Sequence, residues 1–147
     1  MASDAQARAH SAIPLNPFTA SPRQRLRAVV ADDTPHMLDF MAAVVEIEGR
    51  AEVVATATNG IGAIRAAQQL VPDVVFLDVH MPLMNGFQAA AHIKRRLPGT
   101  KVLLVSSDDE PEMGLAALDC GADGFLWKGS FVRQCRKQMN RMFSDAR

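Results

Sequence analysis

The chain has 147 residues, 48% of them apolar and 22% charged, with 16 basic side chains against 16 acidic ones. This is the length of one domain with enough apolar content for a real core, and the composition is neither disordered nor fibrous. Zero formal net charge gives no whole-chain attraction for nucleic acid or an anionic membrane, and no segment approaches the length needed to span a bilayer.

The first 24 residues are rich in Ala, Ser, Asn, Thr and Pro, with Pro14, Pro17 and Pro22 breaking any regular helix or strand. They read as a disordered or loosely packed tail, with an arm held through Ile13, Leu15 and Phe18 as the alternative. No basic segment leads into an apolar run, so the pattern is not that of a secretory leader. The second region, 25–147, alternates strands and helices. Leu26 to Ala31 is the first strand, and Thr34 to Glu48 the first helix, with Thr34 as N-cap, Pro35 in the first turn and Gly49 ending it. Ala51 to Ala57 follows as a strand, and Asn59-Gly60 opens a helix to Leu70. Asp73 to Leu77 is the third strand, and Phe87 to Leu97 a helix stopped by Pro98-Gly99. Lys101 to Val105, a weak helix from Glu110 to Cys120, a strand from Gly124 to Trp127 and a helix from Ser130 to Phe143 complete the series. The two cysteines, Cys120 and Cys135, fall in expected helices without metal-type spacing and fit a reduced, cytoplasmic setting. The strands are continuous apolar runs, as burial on both faces requires, so the expectation is an α/β fold with a parallel sheet between helices.

Four strand ends carry polar residues. Asp32-Asp33 follows the first strand, Asp78 the third, Ser106-Ser107 the fourth and Lys128 the fifth. Each has an ordinary role when taken alone. Asp32 and Asp33 could cap the next helix, Asp78 could serve a turn, and the serines and lysine could be solvated surface groups. Together they stand at the same end of one sheet, where open α/β folds bind ligands. Three carboxylates are suited to a hard divalent cation such as Mg²⁺. A carboxylate can also accept a phosphoryl group as an acyl phosphate, with Lys128 and the Ser106 hydroxyl completing the cradle.

The set Asp32-Asp33, Asp78-x-x-Met81-Pro82-x-Met84-Asn85-Gly86, Ser106-Ser107 and Gly121-Ala122-Asp123-Gly124-Phe125-x-x-Lys128 resembles the receiver domain of two-component response regulators. The resemblance covers about residues 25 to 143. It implies a flavodoxin-like (βα)5 three-layer sandwich of strand order 2-1-3-4-5, in a stand-alone, chemotaxis-type regulator. It implies phosphorylation of Asp78 by a histidine kinase or phosphotransfer protein. It implies Mg²⁺, with Mn²⁺ as a substitute, held by Asp33, Asp78 and the His80 backbone carbonyl, with Asp32 acting largely through water. Such a domain is a phosphoacceptor rather than an enzyme, with its own self-phosphorylation and self-dephosphorylation chemistry. Ser106 and Phe125 would be the switch pair. A downstream protein would dock on the face of the fourth helix, fifth strand and fifth helix, where Arg133, Arg136, Lys137 and Arg141 form a basic face or simply a solvated one. The domain would be a monomer or a phosphorylation-dependent dimer, with no direct nucleic-acid or membrane contact.

Two departures stand out: Gly129 follows Lys128 where the family usually has proline, and the switch aromatic is Phe125 rather than tyrosine. With proline absent, the Lys128–Gly129 peptide is expected to be trans. Two alternatives use similar residues. One is the receiver fragment of a DNA-binding regulator, which the Lys128-Gly129-Ser130 ending resembles. The other is a haloacid-dehalogenase-type phosphatase, which needs a second acid where His80 stands.

Overall fold

A computed structural model describes residues 25–108 and 111–144. The tail expected over residues 1–24 and the helix start at Glu110 lie outside them. Five strands alternate with five helices: β1 (Leu26–Ala31), α1 (Pro35–Glu48), β2 (Ala51–Ala57), α2 (Gly60–Leu70), β3 (Val74–Asp78), α3 (Gly86–Arg96), β4 (Lys101–Ser106), α4 (Pro111–Asp119), β5 (Gly124–Trp127) and α5 (Phe131–Phe143). The strands form one parallel sheet of order β2-β1-β3-β4-β5. This is the flavodoxin-like arrangement, with the order reversing between β1 and β3.

Helices cover both faces of the sheet. Ala63, Ile64 and Ala67 of α2 and Ala89, Ala90 and Ile93 of α3 pack with Val29, Val75, Leu77, Val102 and Leu104 on one side, and Ala117 of α4 joins them. Leu38, Met41 and Val45 of α1 and Phe131, Cys135 and Met139 of α5 pack with Val30, Phe76, Leu103, Val105 and Leu126 on the other. β3 is buried along its whole length, whereas the edge strands β2 and β5 are only partly covered. Fully burying one such Val, Leu or Phe side chain contributes about 1.5–3 kcal/mol. Phe131 is held edge-on against Phe76, ring centroids 5.9 Å apart.

Most boundaries agree with the sequence reading within a residue, and the differences have local causes. Asp78 is the last residue of β3 rather than the residue after it, and it pairs in register with Val105. Thr34 sits at the α1 N-cap position in extended conformation, but its side chain makes no capping bond. Cys120 lies one residue beyond α4. On α5 the buried stripe is Phe131, Cys135 and Met139, at i, i+4 and i+8, and Val132 is exposed. A short 3₁₀ turn, Lys128–Ser130, precedes α5. No peptide among the described residues is cis, so Lys128–Gly129 is trans as expected.

Candidate functional site

The loop after β3 fixes Asp78. The Val79 N–H donates to the Val105 carbonyl at 2.9 Å, and the Gly86 N–H donates back to the Val79 carbonyl at 2.9 Å. Between them the Met84 N–H donates to the Pro82 carbonyl at 2.7 Å, a tight turn that places Leu83 at φ 69°. Asn85 then starts α3 with a reciprocal capping box, its side chain taking the Gln88 N–H and the Gln88 side chain taking the Asn85 N–H. Glycine is required at both flanks. A side chain at Gly86 would overlap the Asp78 carbonyl, and one at Gly60 would lie 2.8 Å from Met84 Cβ and overlap the Met84 carbonyl.

Asp32 follows β1, and its N–H extends the ladder to the Ala57 carbonyl at 3.1 Å. Its Oδ1 accepts the Thr34 N–H at 2.8 Å. This bond shapes the turn into α1 without capping its first N–H groups. Asp32 and Asp78 are buried and Asp33 is exposed. One carboxylate oxygen from each of the three lies within 4.8 Å of the others.

Lys128 reaches this cluster from the end of β5. Its Nζ stands 2.9 Å from Asp32 Oδ2 and 3.1 Å from Asp78 Oδ1. Lys128 is the partner that Asp32 Oδ2 has in this buried setting. Burial pushes the Asp78 carboxyl above the usual carboxylate range, and the Asp32 charge adds to this, against the opposing pull of Lys128. For Lys128 burial acts the other way, but its contacts with Asp32 and Asp78 overcome it and hold the ammonium above the usual lysine range. Burial thus dominates at Asp78 and the acidic contacts dominate at Lys128, whose single ammonium faces both Asp32 and Asp78.

Ser106 is buried at the end of β4, one residue beyond the register partner of Asp78, and its Oγ accepts the Asp108 N–H at 2.9 Å. Phe125 is half-buried on the α2–α3–α4 side. It pairs in register with Leu104, so the cross-strand neighbour of Ser106 is Trp127. His80 is exposed at the start of the loop, and the ligand cluster among the described residues consists of the three aspartates without its ring. On α5, Arg141 is tied to the Asp123 carbonyl at 2.8 Å and to Gln138, while Arg133, Arg136 and Lys137 are exposed.

Sequence reasoning passed over Trp127. The indole Nε1–H donates to the Ser107 carbonyl at 3.2 Å, and the backbone N–H donates to Gln134 Oε1 at 3.0 Å. A sole tryptophan beside the site lysine, with a glycine two residues on, is the signal that was there to be read.

Comparison with known proteins agrees with this geometry. Residues 28–140 match the family model of the response regulator receiver domain. Over 107 residues the chain is 38% identical to a probable transcriptional regulatory protein, NarL, of Mycobacterium tuberculosis (strain CDC 1551 / Oshkosh), covering 73% of this chain and 50% of that one. The solved signal receiver domain of the putative response regulator NarL from Mycobacterium tuberculosis superposes with a TM-score of 0.69 at 37% identity, over 78% of this chain and 98% of that one. The chemotaxis protein CheY4 of Vibrio cholerae superposes with a TM-score of 0.72 at 26% identity, over 80% of this chain and 98% of that one. The chain thus spans about half the length of the transcriptional regulator it matches. Acidic pair, strand-end aspartate, buried serine and converging lysine, on a 2-1-3-4-5 sheet, mark this chain as a member of the response-regulator receiver domain family.

Proposed function

We propose that Asp78 accepts a phosphoryl group from a phosphohistidine, on a histidine kinase or phosphotransfer protein, and that this switches a protein-binding face. The observation that carries the reading is the position of Asp78: a buried carboxylate at the tip of the central strand, 3.1 Å from an ammonium and clustered with two further acids. An Asp78 oxygen attacks phosphorus, the P–N bond to the donor imidazole breaks, and the imidazole leaves with the electron pair and takes a proton. Lys128 places positive charge beside the receiving oxygen, and the Ser106 hydroxyl can turn to donate to a phosphoryl oxygen. Hydrolysis of the acyl phosphate by water resets the site.

The residues fit a hard divalent cation. Three carboxylates in one cluster suit Mg²⁺ or Mn²⁺, which take oxygen ligands. Asp33, Asp78 and the His80 carbonyl would hold it directly. Asp32, with one oxygen on the Thr34 N–H and the other facing Lys128, would act through water. Bound there, the cation would offset repulsion between Asp78 and the incoming phosphoryl oxygens.

The docking face for a downstream protein is formed by α4, β5 and α5. Leu115 and Leu118 of α4 are 66% and 71% exposed, and Arg133, Arg136 and Lys137 of α5 are exposed. A second reading, favoured by similarity to a transcriptional regulatory protein of which the chain covers only 50%, makes this the receiver portion of a DNA-binding regulator. It is tested by whether the natural gene continues past Arg147.

Incubation with a small phosphodonor and Mg²⁺, followed by intact mass measurement, tests the main reading. The native protein should gain one phosphoryl group and Asp78→Asn none. Phosphate on the Asn variant at native levels would overturn the assignment.

A further inference from the structure

Trp127 joins three segments at the rim of the site. Its indole N–H holds the Ser107 carbonyl at 3.2 Å and its backbone N–H holds Gln134 of α5 at 3.0 Å. Its ring lies on the Lys128 turn so closely that a Cβ on Gly129 would fall 2.6 Å from two indole carbons. Gly129 therefore does more than omit the proline usual in the family, because its bare backbone is the surface on which the indole rests. Beyond the strand ladder, the end of β4 is tied by the Asp108 N–H on Ser106 Oγ at 2.9 Å and by the Trp127 indole N–H on the Ser107 carbonyl.

We propose that Trp127 is a positioning residue that latches the end of β4 to the Lys128 turn in the unphosphorylated protein, and that phosphorylation of Asp78 opens this latch. The proposal rests on the Asp78 reading above. When the Ser106 hydroxyl turns toward a phosphoryl oxygen, it gives up its place on the Asp108 N–H. The backbone of Ser106 and Ser107 then follows, withdrawing the carbonyl that the indole holds. Trp127 is 37% exposed and lies beside the docking face, so its release changes what a partner meets. Coupling is reciprocal: a bond made only in the resting arrangement weakens phosphoryl binding by the factor with which phosphoryl binding breaks it.

Beryllofluoride with Mg²⁺, a stable phosphoryl mimic, provides the test, with occupancy followed by ¹⁹F NMR. Trp127 is the sole tryptophan, so intrinsic fluorescence reports on it alone. In the native protein, emission should change in step with occupancy. Trp127→Phe keeps a ring over Gly129 but loses the N–H, and should bind beryllofluoride about fivefold more tightly, the effect of one neutral hydrogen bond. Gly129→Ala keeps the indole but displaces it, and should bind more tightly to a similar extent, with resting emission already like that of the occupied native protein. Unchanged native emission at full occupancy would overturn the latch, as would native affinity in both variants. Failure of the native protein to take up beryllofluoride would overturn the Asp78 reading, and the latch with it.

Discussion

Asp78 is poised by opposing forces, and each is attached to a named neighbour. Burial and the Asp32 charge raise its pKa, while Lys128 restrains the rise. The raised pKa means that the ionised form costs folding free energy at neutral pH. That cost disappears as pH falls through the raised value and the group protonates. Asp78→Asn should therefore be more stable than the native protein at neutral pH in chelator. The gap should narrow on acidification toward the ordinary carboxylate range, as measured by urea unfolding across pH. A gap that widened on acidification would contradict the assigned direction. The two acids after β1 are inequivalent in another way. Both oxygens of Asp32 are engaged by the protein, and Asp33 faces solvent. Asp33→Ala should abolish Mg²⁺ binding more completely than Asp32→Ala in a calorimetric titration. At this scale the residues showed the chemical types, and the family resemblance implied their roles at the site. The bond from the Thr34 N–H to Asp32 and the place of Trp127 as the cross-strand neighbour of Ser106 depend on geometry that spacing does not encode.

Among the elements, β3 with its following loop and α4 are opposites. Gly86 has the Asp78 carbonyl against it, so a methyl group there must push the loop or the strand tip. Gly86→Ala should destabilise by about 3 kcal/mol, the cost of overpacking a tight site. Displacing the carboxylate by about 1 Å should also slow phosphorylation on the order of 100-fold. Denaturant unfolding and phosphodonor kinetics on the one variant check both effects. Gly114, inside α4, has nothing within 4 Å of a Cβ placed on it. Gly114→Ala should stabilise by about 0.8 kcal/mol through helix propensity alone and slow hydrogen exchange along α4. Among the described residues, the pattern of apolar runs and glycine or proline stops located the strands and helices to within about a residue, because each periodicity is a local property. The phase of α5 was less legible, since choosing Phe131 rather than Val132 for the interior depends on Phe76 across the core.

At the scale of the molecule, alternation of strand and helix was enough to read a parallel sheet covered on both sides, and the motif set was enough to read its order. The four strand ends were expected at one end of the sheet because its strands are parallel, but how closely they approach follows only once the sheet is assembled and the order reverses beside β3. The reversal draws Asp32 and Asp78 together and leaves Lys128 to reach them from the edge strand.

The assembled sheet is also a partition. The apolar residues of α1 and α5 and those of α2 and α3 form separate clusters on its two sides. Val45→Ala on one side and Ile93→Val on the other should each cost on the order of 1 kcal/mol. Their combination should equal the sum within about 0.5 kcal/mol in urea denaturation. Repacking on one side would then leave the other undisturbed. The two layers of a single small domain can in this way change their packing independently, while the acids at the strand ends between them stay as they are.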